Sequence, residues 1–143
     1  MSARVLFAAG LLVTLAAVGC RTAPIQNVYA SALAPPASMS DAAMIDAFRR
    51  AGAETGWQIQ PVAPGELEGH LTVRGRHFAV VTISYDRTQF SIVYKSSENL
   101  LYDGIHIHRN YNRWVLALAQ NIRKTVDLYP ANEGTQGSAA GEG

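Results

Sequence analysis

The chain has 143 residues, and its 12 lysine and arginine side chains nearly balance its 11 aspartate and glutamate side chains, giving a formal net charge of +1. A charge so close to zero argues against nucleic acid or an anionic surface as the main partner. The single cysteine excludes an intramolecular disulfide.

The first 19 residues are typical of a lipoprotein signal peptide. Arg4 precedes an apolar run of about 15 residues, which is shorter than the roughly 20 that a membrane-spanning helix needs. The run ends in Ala17-Val18-Gly19-Cys20, which resembles the lipobox of bacterial lipoproteins. This resemblance implies cleavage before Cys20 and a covalent lipid on Cys20, which would explain a secreted chain with one unpaired cysteine. The alternative is an ordinary cut that leaves Cys20 unmodified.

The residue after the cysteine is Arg21 rather than aspartate. By resemblance to lipoprotein sorting in Gram-negative bacteria, this implies anchoring in the outer membrane, facing the periplasm, with the inner membrane as the alternative. We expect residues 20–39, rich in alanine, proline and serine, to carry the lipid and form a flexible tether. Residues 40–130 are the right length for one domain, and the glycine-rich residues 131–143 are expected to be disordered.

We expect the domain to begin with a helix. Ser40 or Asp41 can cap its first turn, and Gly52 or Gly56 can end it. The apolar residues between them recur at helical spacing and form one narrow stripe: Ala43, Met44, Ala47, Phe48 and Ala51.

Antiparallel strands are predicted after this helix. The first is short or lies at a sheet edge, because Pro61 and Pro64 cannot donate to a ladder. Apolar and polar side chains alternate over residues 67–73 and 90–95, as in half-buried strands. Arg74-Gly75 joins strands as a turn that can adopt positive φ.

The strand predicted over residues 77–85 carries apolar side chains on both faces. Phe78 and Val80 lie on one face, and the other face carries Ala79, Val81, Ile83 and Tyr85. Such a strand is either covered on both sides or has one face against a partner. Phe78 and Val80 are therefore a candidate partner surface.

The strongest periodic pattern predicts a second helix over residues 110–128. Its apolar stripe would place these residues in the core: Tyr111, Trp114, Val115, Leu118, Ile122 and Val126. Of Asn110 and Asn112, one can cap the helix and the other can bond to the adjoining loop. The predicted fold is α+β: a two-layer sandwich of a three- to four-stranded antiparallel sheet with one N-terminal and one C-terminal helix.

The four histidines are the candidate metal ligands. His70 and His77 flank one hairpin, and His106 and His108 share one face of a short strand. An H-x-H pair with a third ligand can bind zinc or copper, but no cysteine or spaced H-x-x-E-H motif completes a set. We therefore predict no bound metal or cofactor and expect polar surface roles, with His108 bonding to the backbone near the helix cap.

No pattern in the chain predicts catalysis. The serines lack a nucleophile-elbow context such as G-x-S-x-G, and nothing in the spacing of the acidic residues brings two carboxylates together. The sequence therefore favours a binding role over an enzyme.

Several stretches resemble a group of small proteobacterial envelope lipoproteins of uncharacterised function. They are Gly56-Trp57, Pro64-Gly65-Glu66-Leu67, RGRHFAVVTISYD from Arg74, FSIVYKSSENLLYD from Phe90 and IHRNYNRWV from Ile107. The resemblance implies an envelope lipoprotein with one α+β domain, and it brings no activity, cofactor or catalytic residue. Ala17 departs from the leucine usual in the lipobox.

Two binding hypotheses stand beside an uncharacterised envelope enzyme. In the first, the protein is an envelope-assembly module that contacts another protein through Phe78, Val80 or a strand edge. In the second, it binds a metal or small ligand with its histidine and tyrosine face. Neither hypothesis involves nucleic acid, and both place the protein at a membrane through its lipid.

Overall fold

The computed structural model describes residues 21–130. The predicted signal peptide, Cys20 and the predicted disordered tail lie outside the described residues. Within them, the elements in chain order are β1 (Thr22–Pro24), β2 (Val28–Ala32), α1 (Asp41–Glu54), β3 (Trp57–Ala63), β4 (Glu66–Val73), β5 (His77–Tyr85), β6 (Gln89–Glu98), β7 (His106–His108) and α2 (Arg109–Asp127).

The strands form two antiparallel sheets. Five of them pair in the order β2-β6-β5-β4-β3, and β1 pairs with β7 in a separate two-stranded sheet. The predicted α+β class with antiparallel strands and two helices is confirmed. The predicted count of three or four strands is wrong, because β1 and β2 come from a part of the chain that lacks an apolar alternation.

Residues 21–39 are folded, so the prediction of a flexible tether is wrong for this segment. Thr22 to Pro24 lie opposite His108 to His106, and β2 pairs with β6 across an irregularity between Val28 and Ser31. Leu33 and Met39 are buried in the core. Backbone pairing and these two side chains hold the segment, which starts the domain well before Ser40.

One face of the five-stranded sheet forms the core together with both helices. Alternate strand residues point into one hydrophobic cluster with the buried sides of α1 and α2. From the sheet these are Trp57, Ile59, Leu67, Leu71, Ala79, Val81, Ile83, Phe90 and Ile92. None of the intervening residues on β4 and β5, such as Glu68, His70 and Val80, is buried, so no helix within residues 21–130 covers the other face, here called the open face.

Helix α1 follows its sequence pattern closely. Ser40 is its N-cap, and the Ser40 Oγ accepts a hydrogen bond from the Ala43 backbone N–H at 3.1 Å. Close to its C-terminal end, a Cβ added to Gly52 would lie 2.7 Å from Cδ1 of Ile59. Glycine at this position therefore lets the helix approach β3 closely.

The β4–β5 turn is confirmed, with Arg74 at φ 53° and Gly75 at φ 65°. Strand β3 lies at the sheet edge, as its prolines predict. Along α2, Tyr111 is buried as predicted, whereas Trp114 is only half-buried and packs at the rim of the core. Neither α1 nor α2 is long and apolar enough to span a membrane, and residues 21–130 contain no other α-helix.

Candidate functional site

Two of the four histidines meet in one cavity. His77, at the start of β5, and His108, at the end of β7, line a cavity of about 320 Å³ together with Val73, Arg74, Leu100, Asn110 and Trp114. These residues come from separate parts of the chain, and the fold brings them together at the N-terminal end of α2. We call this the His77–His108 cavity.

A backbone hydrogen bond fixes the ring of His77. Its Nδ1 lies 2.9 Å from the carbonyl oxygen of Asn99. A carbonyl can only accept, so Nδ1 carries the proton and donates it. The neutral ring of His77 therefore has a bare Nε2, which becomes a donor only when the ring is protonated.

His108 has the opposite tautomer. It is the N-cap of α2, and its Nδ1 accepts a hydrogen bond from the Asn110 backbone N–H at 3.2 Å. Because Nδ1 accepts, the proton of the neutral ring lies on Nε2. The prediction that an asparagine caps this helix is wrong, since the chain turns into the helix at Arg109 and the imidazole one residue earlier reaches the exposed N–H.

The surroundings of His108 disfavour its charged form. Burial is the first cause that lowers its pKa, because a charged imidazole loses hydration there. The positive charges of His77 and Arg109 lower the pKa further, and so does that of Arg21. Arg74 and the two histidines line the cavity, and no carboxylate is among its described lining residues.

The remaining walls of the cavity combine one cation with apolar surface. Arg74 lies at the rim on the β4–β5 turn, and no hydrogen bond or ion pair engages its guanidinium among residues 21–130. Trp114, Leu100 and Val73 provide the apolar part of the lining. Such a lining is suited to a small anion with an apolar portion.

His70 lies on the open face, apart from the His77–His108 cavity. Its Nε2 is 2.7 Å from Oε1 of Glu68, and the other oxygen of Glu68 accepts a hydrogen bond from Lys95 Nζ. The hydrogen bond from Lys95 is the largest cause that lowers the pKa of Glu68. His70 and His77 flank the same hairpin but lie on opposite faces of the sheet, so they do not approach each other.

His106 is engaged in a local turn. Its Nδ1 lies 3.3 Å from Oδ2 of Asp103, and Oδ1 of Asp103 accepts from the backbone N–H groups of Ile105 and His106 at 2.9 and 2.7 Å. These backbone bonds are the first causes that lower the pKa of Asp103. Within residues 21–130, no group of three or more histidine, cysteine, aspartate or glutamate side chains is placed to hold a metal ion.

The predicted partner surface forms a shallow groove on the open face. Phe78 and Val80 line a space of about 290 Å³ with His70, Thr72 and Glu98 among its other walls. Both apolar side chains are half-buried rather than covered. The groove lies on the opposite face of the sheet from the core.

Asn112 is the polar residue whose role the sequence did not indicate. It is the only polar side chain in the buried set within residues 21–130. Its Oδ1 accepts from the Gln26 backbone N–H at 3.0 Å, and its Nδ2 donates to the Pro24 carbonyl at 2.9 Å. Asn112 therefore clamps the N-terminal segment rather than the adjoining loop.

Comparisons with protein-family models, with curated proteins and with solved structures gave no match for this chain. The candidate functional surfaces are the His77–His108 cavity and the groove lined by Phe78 and Val80.

Proposed function

We propose that the protein is a lipid-anchored binding module of the bacterial envelope. It is attached to the outer membrane through Cys20 and faces the periplasm. The open face of the five-stranded sheet carries this proposal. A sheet face that no layer covers within residues 21–130, with Phe78 and Val80 half-buried on its middle strand, is the kind of surface that another protein covers.

The charges around the groove favour one kind of partner. Glu98 lines the groove, whereas Glu66, opposite Ser84, is exposed on the same face at the other end of β4. Lys95 bonds to Glu68 and does not line the groove. We infer that the partner presents an apolar side chain to Phe78 and Val80, flanked by a lysine or arginine that faces Glu98.

Photo-crosslinking in the native envelope tests this function. A photoreactive amino acid at Val80 of the full chain is expected to give one reproducible protein adduct, which Phe78→Asp abolishes. Ser84→Asp is the matched control, because Ser84 is exposed on the same strand and face but lies outside the groove. Equal labelling from Val80 and from Gln120 on α2 would contradict a specific partner, and an adduct between two copies would identify self-association.

The lipid anchor has a test of its own. Mass spectrometry of the mature protein is expected to show acyl chains on Cys20 as the N-terminal residue, and Cys20→Ser is expected to release the protein from the membrane fraction. A mature protein with an unmodified cysteine would overturn the anchoring proposal.

A second candidate function is the binding of a small anion in the His77–His108 cavity. The observation that favours it is the gathering of Arg74 and two histidines around a partly apolar space. Two histidines without a third ligand are a poor metal site, whereas an unpaired guanidinium beside them is suited to phosphate or carboxylate.

A further inference from the structure

The end of the domain that holds the His77–His108 cavity is also the end at which Cys20 joins the fold. Arg21 is fixed in place, because its carbonyl accepts a hydrogen bond from the Arg109 backbone N–H at 2.9 Å. The next residue, Thr22, lies opposite His108 in the β1–β7 pair. Cys20 is joined directly to Arg21 in the chain, so a lipid on Cys20 would be attached next to this end.

The cavity lies within a short reach of that attachment point. On the far side of β7 from β1, the His108 backbone N–H donates to the Leu100 carbonyl at 2.8 Å. Thr22, His108 and Leu100 therefore lie side by side. At the usual strand spacing the row is about 10 Å wide, which is comparable to the size of one phospholipid headgroup.

Basic residues are concentrated at this end. Arg21 and Arg109 meet there through their backbones, and Arg74 lines the cavity. Arg76 is tied to the same place, because the side chain of Asn99 donates to its carbonyl at 2.6 Å. The near-neutral net charge of the chain hides this local excess, so an anionic surface that the overall charge disfavours fits this end of the molecule.

Large apolar side chains are exposed in the loop beside the cavity. Leu101, which follows the cavity residue Leu100, is 58% exposed, and Ile105, which precedes β7, is 66% exposed. The Ile105 carbonyl accepts from the Ile25 backbone N–H at 2.9 Å, so this loop adjoins the short β1–β7 pair at the opposite end from Arg21. Exposed leucine and isoleucine beside arginines are typical of a surface that enters a membrane interface.

We propose that this end of the domain is a membrane-docking face, in which the His77–His108 cavity receives the phosphate of an anionic phospholipid headgroup while Leu101 and Ile105 enter the interface. The proposal rests on the proposed lipid on Cys20. Arg74 and the Nε2 proton of His108 donate to the phosphate oxygens, and the Trp114 indole packs against the glycerol region. His77 adds a further donor when its Nε2 is protonated.

Spin labels on the mature lipoprotein test the docking face. Ile105→Cys and Leu101→Cys carry the labels in separate proteins, and the second position guards against a labelling site that disturbs folding. Gln120→Cys, exposed on α2, is the control. The measured quantity is the ratio of label collisions with oxygen to collisions with a water-soluble nickel complex. We expect this ratio to be several-fold higher at Ile105 and Leu101, but not at Gln120, in phosphatidylcholine vesicles that contain about a third phosphatidylglycerol than in vesicles of phosphatidylcholine alone.

Matched arginine variants link the result to the cavity. Arg74→Gln is expected to remove most of the rise at Ile105, whereas Arg123→Gln, a change at an exposed position late in α2, should leave it unchanged. If the labels at Ile105 and Leu101 remain exposed to water in both lipid compositions, with no rise in the collision ratio, the docking proposal is overturned. Shifts of the His77 and His108 ring resonances on addition of inorganic phosphate, without insertion of the labels, would identify a site for a free anion and would also overturn it.

The docking proposal and the anchoring proposal fail in different ways. Mass spectrometry of the same preparation reports the lipid on Cys20. A lipidated protein whose labels remain in water contradicts only the docking face, whereas an unmodified Cys20 removes the anchor and the docking proposal with it.

Discussion

Two adjoining parts of the chain are held in the fold by different forces. Helix α1 packs through apolar side chains, with Met44, Ala47, Phe48 and Ala51 almost fully buried. The segment before it, residues 21–34, is held by backbone pairing of β1 with β7 and of β2 with β6, and by hydrogen bonds to amide, hydroxyl and carboxylate side chains, supplied by Asn112, Ser91 and Asp127. Apolar packing spreads its stabilisation over the whole core, whereas these hydrogen bonds act at single points. Loss of one such bond should free a segment without unfolding the domain.

The largest effect is expected in the apolar region. Phe48→Ala should lower the free energy of unfolding by about 3–5 kcal/mol, because it leaves a cavity beneath Tyr85 and Phe90, whose rings contact Phe48. Denaturant unfolding measures the loss, and hydrogen exchange should accelerate throughout the domain. Leu116→Ala, at an exposed position of α2, is the control and should change stability by less than about 0.5 kcal/mol. Exchange that accelerates only within α1 would contradict a shared core.

A smaller and more local effect is expected at the polar clamp. Asn112→Ala leaves the Gln26 N–H and the Pro24 carbonyl without their partner, at a cost of about 1–3 kcal/mol. Hydrogen exchange should accelerate in residues 21–28 and remain slow in α1. Asn121→Ala is the matched control, since Asn121 bonds to Ala51 and Glu54 instead. Uniform acceleration in the Asn112 variant would remove the distinction between the two regions.

The cap of α2 gives a third test, because the contribution of His108 to stability depends on pH. His108→Ala should cost about 0.5–2 kcal/mol, while His108→Asn should retain most of the cap. The folded pKa of His108 lies below its ordinary value of 6.5, so on acidification the unfolded chain takes up the proton first. The contribution of His108 to the free energy of unfolding is therefore fully present above pH 6.5 and declines as the pH falls below this value.

Thermal unfolding between pH 5 and 7.5 checks this dependence. The His108→Asn variant should show a smaller decline than the natural protein, because asparagine caps the helix without titrating. An identical decline in both proteins would assign the pH dependence to another group.

The smallest effect is expected on the open face. Lys95→Ala should cost between about 0 and 1 kcal/mol, because the Lys95 side chain is 54% exposed and its bond to Glu68 is screened by solvent. Unfolding in low and high salt measures the contribution, which should shrink as salt rises. A larger, salt-independent loss would mean that the open face contributes to stability as the core does.

Regular apolar periods allowed the sequence to predict the packed part of the fold. The stripes of α1 and α2, the cap at Ser40, the Arg74-Gly75 turn and the edge position of β3 all follow from local patterns. Trp114 is the exception: it lies on the predicted apolar stripe of α2 but lines the His77–His108 cavity at the edge of the core. Residues 21–39 were mistaken for a tether because strands that pair through backbone and are clamped by polar side chains leave no apolar period.

The candidate site was only partly visible in the sequence. The histidines marked its chemistry, yet their spacing suggested the pairs His70–His77 and His106–His108, whereas the fold joins His77 with His108. The reason is that the cavity is assembled from the β4–β5 turn, the loop before β7 and the start of α2. Such contacts between distant segments are set by strand order, which no local pattern encodes. Lipidation, the outer-membrane location and the family resemblance stay predictions.

The clamp at Asn112 also bears on when this protein can fold. Its hydrogen bonds to Gln26 and Pro24 join residues that are 86 and 88 positions apart in the chain. Contacts of such high sequence separation form late and slowly, because the long loop between them must close first. The strand β1 pairs with β7 and is clamped by Asn112 of α2, so neither contact can form before these later segments are present. The N-terminal segment is therefore the last part of the domain to be fastened, although it precedes the rest of the domain in the chain.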